Sequence, residues 1–213
     1  LATFRAFIIY AKTNGVEVNE SALLTYKKIA VKSDDRKAKT YLNEAELQAL
    51  YNMSLTGLRE KVRDVFLRGC YLGQRVSDYN HLTRGDFRLS SSGRFRVVAF
   101  TQEKTENAVV VPIIFDEVFA IAEKYNYDFP RISDVIIHRY IKDIAKELSN
   151  SVPGLAEKMR TTLDSKEQRL EEAGKVVFER DAKGYVVKPR YEMITTHTAR
   201  RSCITNLYLR NIF

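Results

Sequence analysis

The sequence predicts a mainly helical (mainly α, α+β) fold, a helical bundle with a small three-stranded antiparallel sheet and an extra hairpin. Apolar residues recur at helical spacing through most of the chain. Beyond residue 86 the period changes to that of strands, with turns at Ser90–Gly93 and Gln102–Asn107. The segment 175–191 has the pattern of a further hairpin, with its turn at Asp181–Gly184.

The first 40 residues predict a helix end followed by a linker. Apolar residues cluster at helical spacing before Asn14-Gly15, a typical helix stop. Residues 27–40 are rich in charge and poor in apolar side chains, which is typical of a linker between domains. We therefore expect residues 1–26 to end one helical domain and residues 41–213 to form a second.

The second domain opens with a strong helix-start signal. Asn43 can cap a helix, and Glu46 at the third helical position completes a capping box. Leu42 and Leu47 stand where a hydrophobic staple needs them. These four residues support a domain boundary near residue 41.

The later helices are marked by apolar faces and by stop or cap residues. A helical face from Leu58 to Cys70 is closed by Gly73, and a short second helix follows around Val76. After the sheet, we predict helices that start near Asp116, Ser133 and Thr196, with a weakly helical segment over 153–163.

Composition indicates a globular, basic protein. Hydrophobic residues make up 45% of the 213 residues and charged residues 29%, and the formal net charge is +8. Residues 1–40 hold eight Lys/Arg against four Asp/Glu, a net +4, and residues 197–213 hold three arginines and no acid. The basic ends make a polyanion a plausible partner, with a solvated basic surface as the alternative.

Several classes of site are absent from the sequence. Cys70 and Cys203 lie inside apolar helical patterns, which predicts two buried free thiols and fits a reducing cytoplasm. No metal-binding spacing, glycine-rich phosphate loop or long apolar run occurs. We therefore expect no metal, no cofactor and no membrane span.

The segment "TTHTARRS" at 195–202 predicts an anion site at a helix start. Thr195 or Thr196 can cap the helix, which places His197 and Arg200 three residues apart on its first turn. A histidine, an arginine and the positive end of a helix together suit a phosphate. The alternative is a solvent-facing pair on a basic helix.

Two other segments offer cations. In "CYLGQRVSD", Gly73 turns the chain and Arg75 emerges at a helix start, where Asp78 can hold its guanidinium. In "FTQEKTENAVVV", Lys104 lies at or beside a hairpin tip, from which it can reach a DNA groove or deliver a proton. The alternatives are a surface salt bridge for the first and a solvated hairpin tip for the second.

Taken in order, these pieces resemble the catalytic domain of the tyrosine recombinases, the phage- and transposon-type integrases. The matching segments are "GCYLGQRVSDYNHL", "FTQEKTENAVVVPI" and "THTARRSCITNLYL", and the resemblance spans roughly 41–213. The wording of "LGQRVSDYNHL" and "TTHTARRS" is most similar to mobile-element integrases of the Bacteroides group.

The resemblance implies a role for each cation. Arg75 and Arg200 would clamp the scissile phosphate, with Asp78 orienting Arg75. Lys104 would protonate the leaving 5′-oxygen, and His197 would accept a proton or bind the phosphate. A tyrosine attacks in this family, without metal or cofactor, to form a 3′-phosphotyrosyl link. Double-stranded DNA is the implied partner, a homo-tetramer on DNA the implied assembly, and the nucleoid in the cytoplasm the implied location.

The family pattern extends beyond this sequence at both ends. We expect 1–15 to be the last helix of a core-binding domain. We expect the catalytic domain to stop before the nucleophile helix, so no nucleophile is assigned. Tyr208 is expected to pack in the core with Ile204 and Leu207. The expected DNA contacts outside the phosphate clamp are Lys27, Lys28, Lys32, Arg36, Lys37, Lys39 and Arg201.

Three other functions remain open at this stage: a catalytically silent DNA-binding module of the same fold, a type IB topoisomerase, and an unrelated α-rich basic domain. The linker could also be a solvated tether. The segment 150–194 is longer than the family minimum and could contact DNA or a neighbouring subunit.

Overall fold

The computed structural model describes residues 9–16 and 39–212, and the chain divides into two units, 1–36 and 37–213. In the first unit residues 9–13 are helical, and Gly15 takes the left-handed conformation (φ +78°) just beyond them, as predicted for a helix stop. Of the cations predicted in the linker, only Lys39 lies within the described residues, and it is exposed.

The described part of the second unit is mainly helical, as predicted. Short 3-10 turns at Arg84–Asp86, Pro153–Leu155 and Arg190–Met193 connect the longer elements. The α-helices are α1 (Glu44–Tyr51), α2 (Gly57–Leu72), α3 (Val76–Tyr79), α4 (Glu117–Lys124), α5 (Asp134–Leu148), α6 (Ser165–Glu172) and α7 (Thr196–Leu209).

The start of α1 has the predicted capping box. The Glu46 backbone N–H donates to Asn43 Oδ1, and the Asn43 N–H donates to Glu46 Oε2, both at 2.9 Å. Leu42 and Leu47, the predicted staple, are both buried. Two donors that the helix itself cannot satisfy are therefore paired, which fixes the entry into the domain.

Helix α2 is the centre of the core, because every residue from 62 to 72 is buried. It packs against α1, α4, α5 and α7. At Gly69 an added Cβ would lie 2.6 Å from the Tyr79 ring and 3.2 Å from the Ala199 Cβ, so the missing side chain lets α7 approach closely. A helix that is buried on all sides fixes the positions of the elements around it.

The predicted three-stranded sheet is present. It consists of β1 (Phe87–Leu89), β2 (Arg96–Thr101) and β3 (Ala108–Pro112), antiparallel and in that order. Val98 lies at its centre, opposite Phe87 on one side and Val111 on the other. The two turns fall where the sequence predicts them, and the β2–β3 turn is closed by the Gln102 N–H, which donates to the Asn107 carbonyl at 2.9 Å.

The extra hairpin is present around its turn, where Arg180 bridges to Val186 and the Val187 N–H donates to the Glu179 carbonyl at 2.9 Å. The turn at Asp181–Gly184 is confirmed, since the Gly184 N–H donates to the Asp181 carbonyl at 2.9 Å. However, β5 (Val187–Pro189) pairs along its length with β4 (Lys158–Arg160), which lies inside the segment 153–163 that we expected to be weakly helical. A strand partner distant in the chain overrides a weak local helix preference. Helix α6, between these strands, has no counterpart in the prediction.

The prediction that Tyr208 packs in the core is wrong. Tyr208 is 70% exposed and Ile204 49% exposed, although Leu207 does pack against the core. Tyr208 follows the buried Cys203 by five residues, which places it about 140° away around the helix. The buried face of α7 consists of Thr196, Thr198, Ala199, Ser202, Cys203 and Asn206.

Both cysteines are free and buried, as predicted. Burial raises the pKa of the Cys203 thiol to about 11, and the nearby Arg200 opposes this shift. No helix in the described part of the chain is long and apolar enough to cross a membrane. Across residues 9–16 and 39–212, no cluster of side chains suited to holding a metal ion occurs.

Candidate active site

The two predicted clamp arginines lie within three residues, along the chain, of one contact between helices. Helix α2 ends at Gly73 (φ +66°), where an added Cβ would lie 2.9 Å from Cys203 Sγ. Arg75 follows Gly73 by two residues and is the N-cap of α3, and Arg200 precedes Cys203 by three residues on α7. Arg75 and Arg200 are therefore close in the chain to the two residues, Gly73 and Cys203, at which the end of α2 meets α7.

The hairpin that carries Lys104 is tied to the same region. Asp78 Oδ1 on α3 accepts a hydrogen bond from the Glu103 backbone N–H at 3.0 Å. Gln102 Nε2 donates to Gln74 Oε1 at 3.1 Å. Lys104 is exposed at the tip of this turn, directly after two residues that are held against the start of α3.

The first turn of α7 is fixed by two contacts. The Thr195 N–H donates to Thr198 Oγ1 at 3.0 Å within the capping turn. The Thr196 N–H donates to Nε2 of His138, a residue of α5, at 3.1 Å. His197 is exposed and Arg200 is half-buried on this turn and the next. The sequence gives no signal for a role of His138, because its helix carries no recognised motif. His138 also lies 58 residues before Thr196 in the chain.

The predicted pairing of Asp78 with Arg75 is not observed. Asp78 uses Oδ1 to accept from the hairpin backbone, and its buried Oδ2 has no hydrogen-bond partner among the described residues. Arg75 Nη1 is also buried and without a partner in the same part of the structure. Asp78 therefore holds the Lys104 hairpin rather than the Arg75 guanidinium.

The candidate cations lack the acid partner that Arg63 and Arg190 have. The buried Arg68 also lacks one, but its guanidinium lies over the Phe129 ring, 4.1 Å from the centroid. The guanidinium of Arg63 pairs with Asp64 at 2.8 Å, and that of Arg190 pairs with Glu46. In the described part of the chain no acid pairs with Arg75 or Arg200, both half-buried, nor with the exposed Lys104. A shielded guanidinium without a carboxylate is poorly satisfied by the protein, and a phosphate would supply the missing acceptors.

Arg201 differs from the adjacent Arg200 in that its guanidinium donates hydrogen bonds within the protein. Its Nε donates to the Thr40 carbonyl at 2.9 Å, and Nη2 donates to Thr198 Oγ1 at 3.1 Å. Burial lowers the pKa of this guanidinium. The DNA contact that we expected from Arg201 is thus replaced, for two of its nitrogens, by contacts that fasten the domain entry to α7.

Comparison with solved structures identifies the fold. The structure of the Tn1549 transposon integrase in complex with circular intermediate DNA matches with a TM-score of 0.55 and 14% identity, over 98% of this chain and 64% of that one. The domain therefore has the tyrosine-recombinase catalytic-domain fold. No protein-family model and no curated protein matches the sequence.

Two structures of the XerH site-specific recombinase bound to difH substrates also match. The pre-cleavage complex gives a TM-score of 0.46 at 14% identity, over 83% of this chain and 45% of that one. The post-cleavage complex, on a palindromic substrate, gives 0.47 at 14% identity, over 84% and 44%. The chain thus spans less than half of XerH and just under two thirds of the Tn1549 integrase chain.

Proposed function

We propose that this chain is the DNA-binding and phosphate-clamping part of a site-specific tyrosine recombinase. The observation that carries the proposal is a set of cations that no acid pairs with among the described residues, on segments joined by two contacts, the hairpin with α3 and the end of α2 with α7. Arg75 precedes α3, Lys104 lies on the hairpin held by α3, and His197 with Arg200 begins α7 against the end of α2. The integrase-like fold agrees with this function.

In this proposal the clamp stabilises the transition state of a transesterification. Arg75 and Arg200 bind the nonbridging oxygens, on which negative charge grows as phosphorus becomes five-coordinate. A tyrosine oxygen forms the new bond to phosphorus while the bond to the 5′-oxygen breaks. His197 accepts the proton that the tyrosine hydroxyl loses, and Lys104 donates the proton that the 5′-oxygen needs. A 5′-hydroxyl later attacks the 3′-phosphotyrosyl link and restores the phosphodiester, so no ATP is consumed.

The proposal extends to duplex DNA held by the basic segments, with a homo-tetramer as the working assembly and the nucleoid in the cytoplasm as its location. The net charge of +8 and the concentration of Lys/Arg before residue 40 support a polyanionic partner. We also propose that the protein belongs to a mobile genetic element, because the residues of "LGQRVSDYNHL" and "TTHTARRS" are most similar to integrases of such elements.

The clamp is tested with Arg200→Ala in the full-length recombinase. Loss of one charge-stabilising donor should lower the cleavage rate by roughly 10²- to 10³-fold, because that donor acts mainly in the transition state. DNA affinity, measured by fluorescence anisotropy, should change little. Arg210→Ala is the matched control, since Arg210 is the C-cap of the same helix and pairs with Glu44. Cleavage that survives Arg200→Ala would refute the clamp.

The 213-residue chain itself is expected to bind DNA without forming a covalent adduct, because we assign the nucleophile to no residue of this sequence. Incubation with a nicked suicide substrate, followed by denaturing electrophoresis, tests this. The exposed Tyr208 is the residue to check first if an adduct appears, and an adduct lost in Tyr208→Phe would make that tyrosine the nucleophile.

Binding should also weaken steeply with salt. If the chain neutralises six to ten phosphates, its affinity should fall by roughly 10³- to 10⁵-fold between about 50 and 200 mM salt, because counterions are released on binding. A titration across this range measures the slope. A flat dependence would contradict a backbone-tracking DNA contact.

A further inference from the structure

A histidine outside the four predicted catalytic positions contacts the start of the helix that carries two of them. His138 lies one turn into α5, and its Nε2 is 3.1 Å from the Thr196 backbone nitrogen and 3.1 Å from Thr196 Oγ1. Thr196 is the first residue of α7 and directly precedes His197. A side chain of one helix thus serves as the acceptor for the first turn of another.

The direction of this hydrogen bond defines the state of the imidazole. A backbone N–H can only donate, so Nε2 must present its lone pair and the proton must lie on Nδ1. Burial lowers the pKa of His138, with Lys142 and His197 acting in the same direction and Asp134 opposing them. The neutral ring that the contact requires is therefore also the form that its surroundings favour.

We propose that His138 is a positioning residue for the phosphate clamp: by accepting the Thr196 N–H, its imidazole fixes the first turn of α7 and with it His197 and Arg200. This inference rests on the proposed function. The first N–H groups of a helix have no partner within the helix, so the turn frays unless a side chain or water satisfies them. Small displacements of a charge-binding group are costly for anion recognition and for catalysis.

The contact is made where fraying would matter most. Arg200 lies just over one turn beyond Thr196, and no acid in the described residues holds its guanidinium in place. Its position therefore depends on the backbone of α7. Toward the other end of the same helix, Arg210 is held by Glu44, so a loss of order at the first turn would affect the clamp selectively.

The test uses the 213-residue chain with inorganic phosphate as the probe. Nitrogen-15 NMR of the imidazole groups at neutral pH reports directly which nitrogen of His138 carries the proton. Titration with phosphate, followed through the ring signals of His197, gives a Kd for the clamp. The variants are His138→Leu, which removes the acceptor, and His138→Gln, whose carbonyl oxygen can replace it. Lys146→Leu, an exposed position two turns further along α5, is the control.

We expect an unprotonated Nε2 in the unmodified chain. We expect phosphate affinity to fall roughly five- to tenfold in His138→Leu, the loss typical of a missing helix cap, and to return in His138→Gln. The Lys146→Leu control should bind as the unmodified chain does. A protonated Nε2, an unchanged affinity in His138→Leu, or a defect in His138→Gln as large as that in His138→Leu would overturn the inference.

The design separates this inference from the proposed function. If Arg200→Ala leaves phosphate binding unchanged, the clamp itself is wrong. If Arg200→Ala abolishes binding while His138→Leu does not affect it, the clamp stands and only the role of His138 is rejected. Should His138→Leu fail to fold, the proton position in the unmodified chain and the affinity of His138→Gln still decide the question.

Discussion

At the scale of single residues, Gly73 links the fold to the site. Its left-handed backbone (φ +66°) ends α2, and the space where a side chain would lie is taken by Cys203 Sγ, 2.9 Å from the position of an added Cβ. Glycine is thus required for two independent reasons, the dihedral angle and the close approach of α7. Arg75 follows Gly73 by only two residues, so the site proposed above depends on this contact.

Gly73→Ala should therefore destabilise the domain by about 2–4 kcal/mol, the sum of a left-handed alanine and an overpacked contact. Urea unfolding measures this. Gly184→Ala is the control, because Gly184 has φ +82° but nothing within 4 Å of an added Cβ, and only the backbone cost of about 1 kcal/mol should appear there. Equal losses at the two positions would show that the contact with Cys203 is unimportant.

At the scale of elements, the β2–β3 hairpin is held to the start of α3 by a carboxylate and an amide pair. Asp78 accepts from the Glu103 N–H, and Gln102 donates to Gln74. The sequence predicts both the hairpin and the short helix, but neither local pattern indicates that the two meet. The position of Lys104 relative to Arg75 depends on this contact.

Asp78→Ala should release the hairpin tip, and exchange of the Glu103 amide with deuterium should speed up by roughly tenfold, because a bond to a charged acceptor is lost. Asp78→Asn keeps an oxygen acceptor and should retain most of the protection. Site-resolved hydrogen exchange by NMR measures both. If Asp78→Ala leaves exchange at Glu103 unaltered, the hairpin is held by other contacts.

At the scale of the whole second unit, Arg190 joins parts of the chain far apart in sequence. Its Nε donates to Thr40 Oγ1 at 2.8 Å, and its Nη2 donates to Glu46 Oε2 at 2.8 Å and to the Tyr41 carbonyl. The entry to the domain is thereby fastened to the 3-10 turn just before α7. Arg201 reinforces the same junction through the Thr40 carbonyl.

Arg190→Met should lower the free energy of unfolding by about 3–5 kcal/mol, since it leaves the shielded Glu46 carboxylate without its partner. Lys158→Met is the matched control. Lys158 and Glu179 form an ion pair in which both side chains are more than half exposed, and such pairs contribute about 0–1 kcal/mol. Urea denaturation of both variants tests this, and similar losses in the two would contradict a central role for Arg190.

The sequence by itself determined the elements whose signals are local. Asn43 and Glu46 form a capping box through residues three apart, Gly73 ends a helix through its own backbone, and the β2–β3 turn is enclosed by its own strands. Each of these depends on neighbours within a few residues. The three cationic motifs could also be identified from the sequence, because each consists of residues close together in the chain.

Only the tertiary structure decided which groups those motifs contact. Asp78 turns to the Glu103 backbone instead of Arg75, β5 takes β4 as its strand partner, Tyr208 faces away from the core, and His138 caps a helix 58 residues ahead. These outcomes depend on how helices pack around α2, and that packing is set by contacts between segments distant in the chain. Local sequence patterns do not predict such contacts, because the same hydrogen-bond donor can pair with many different acceptors. Which acceptor it meets depends on the packing of distant segments.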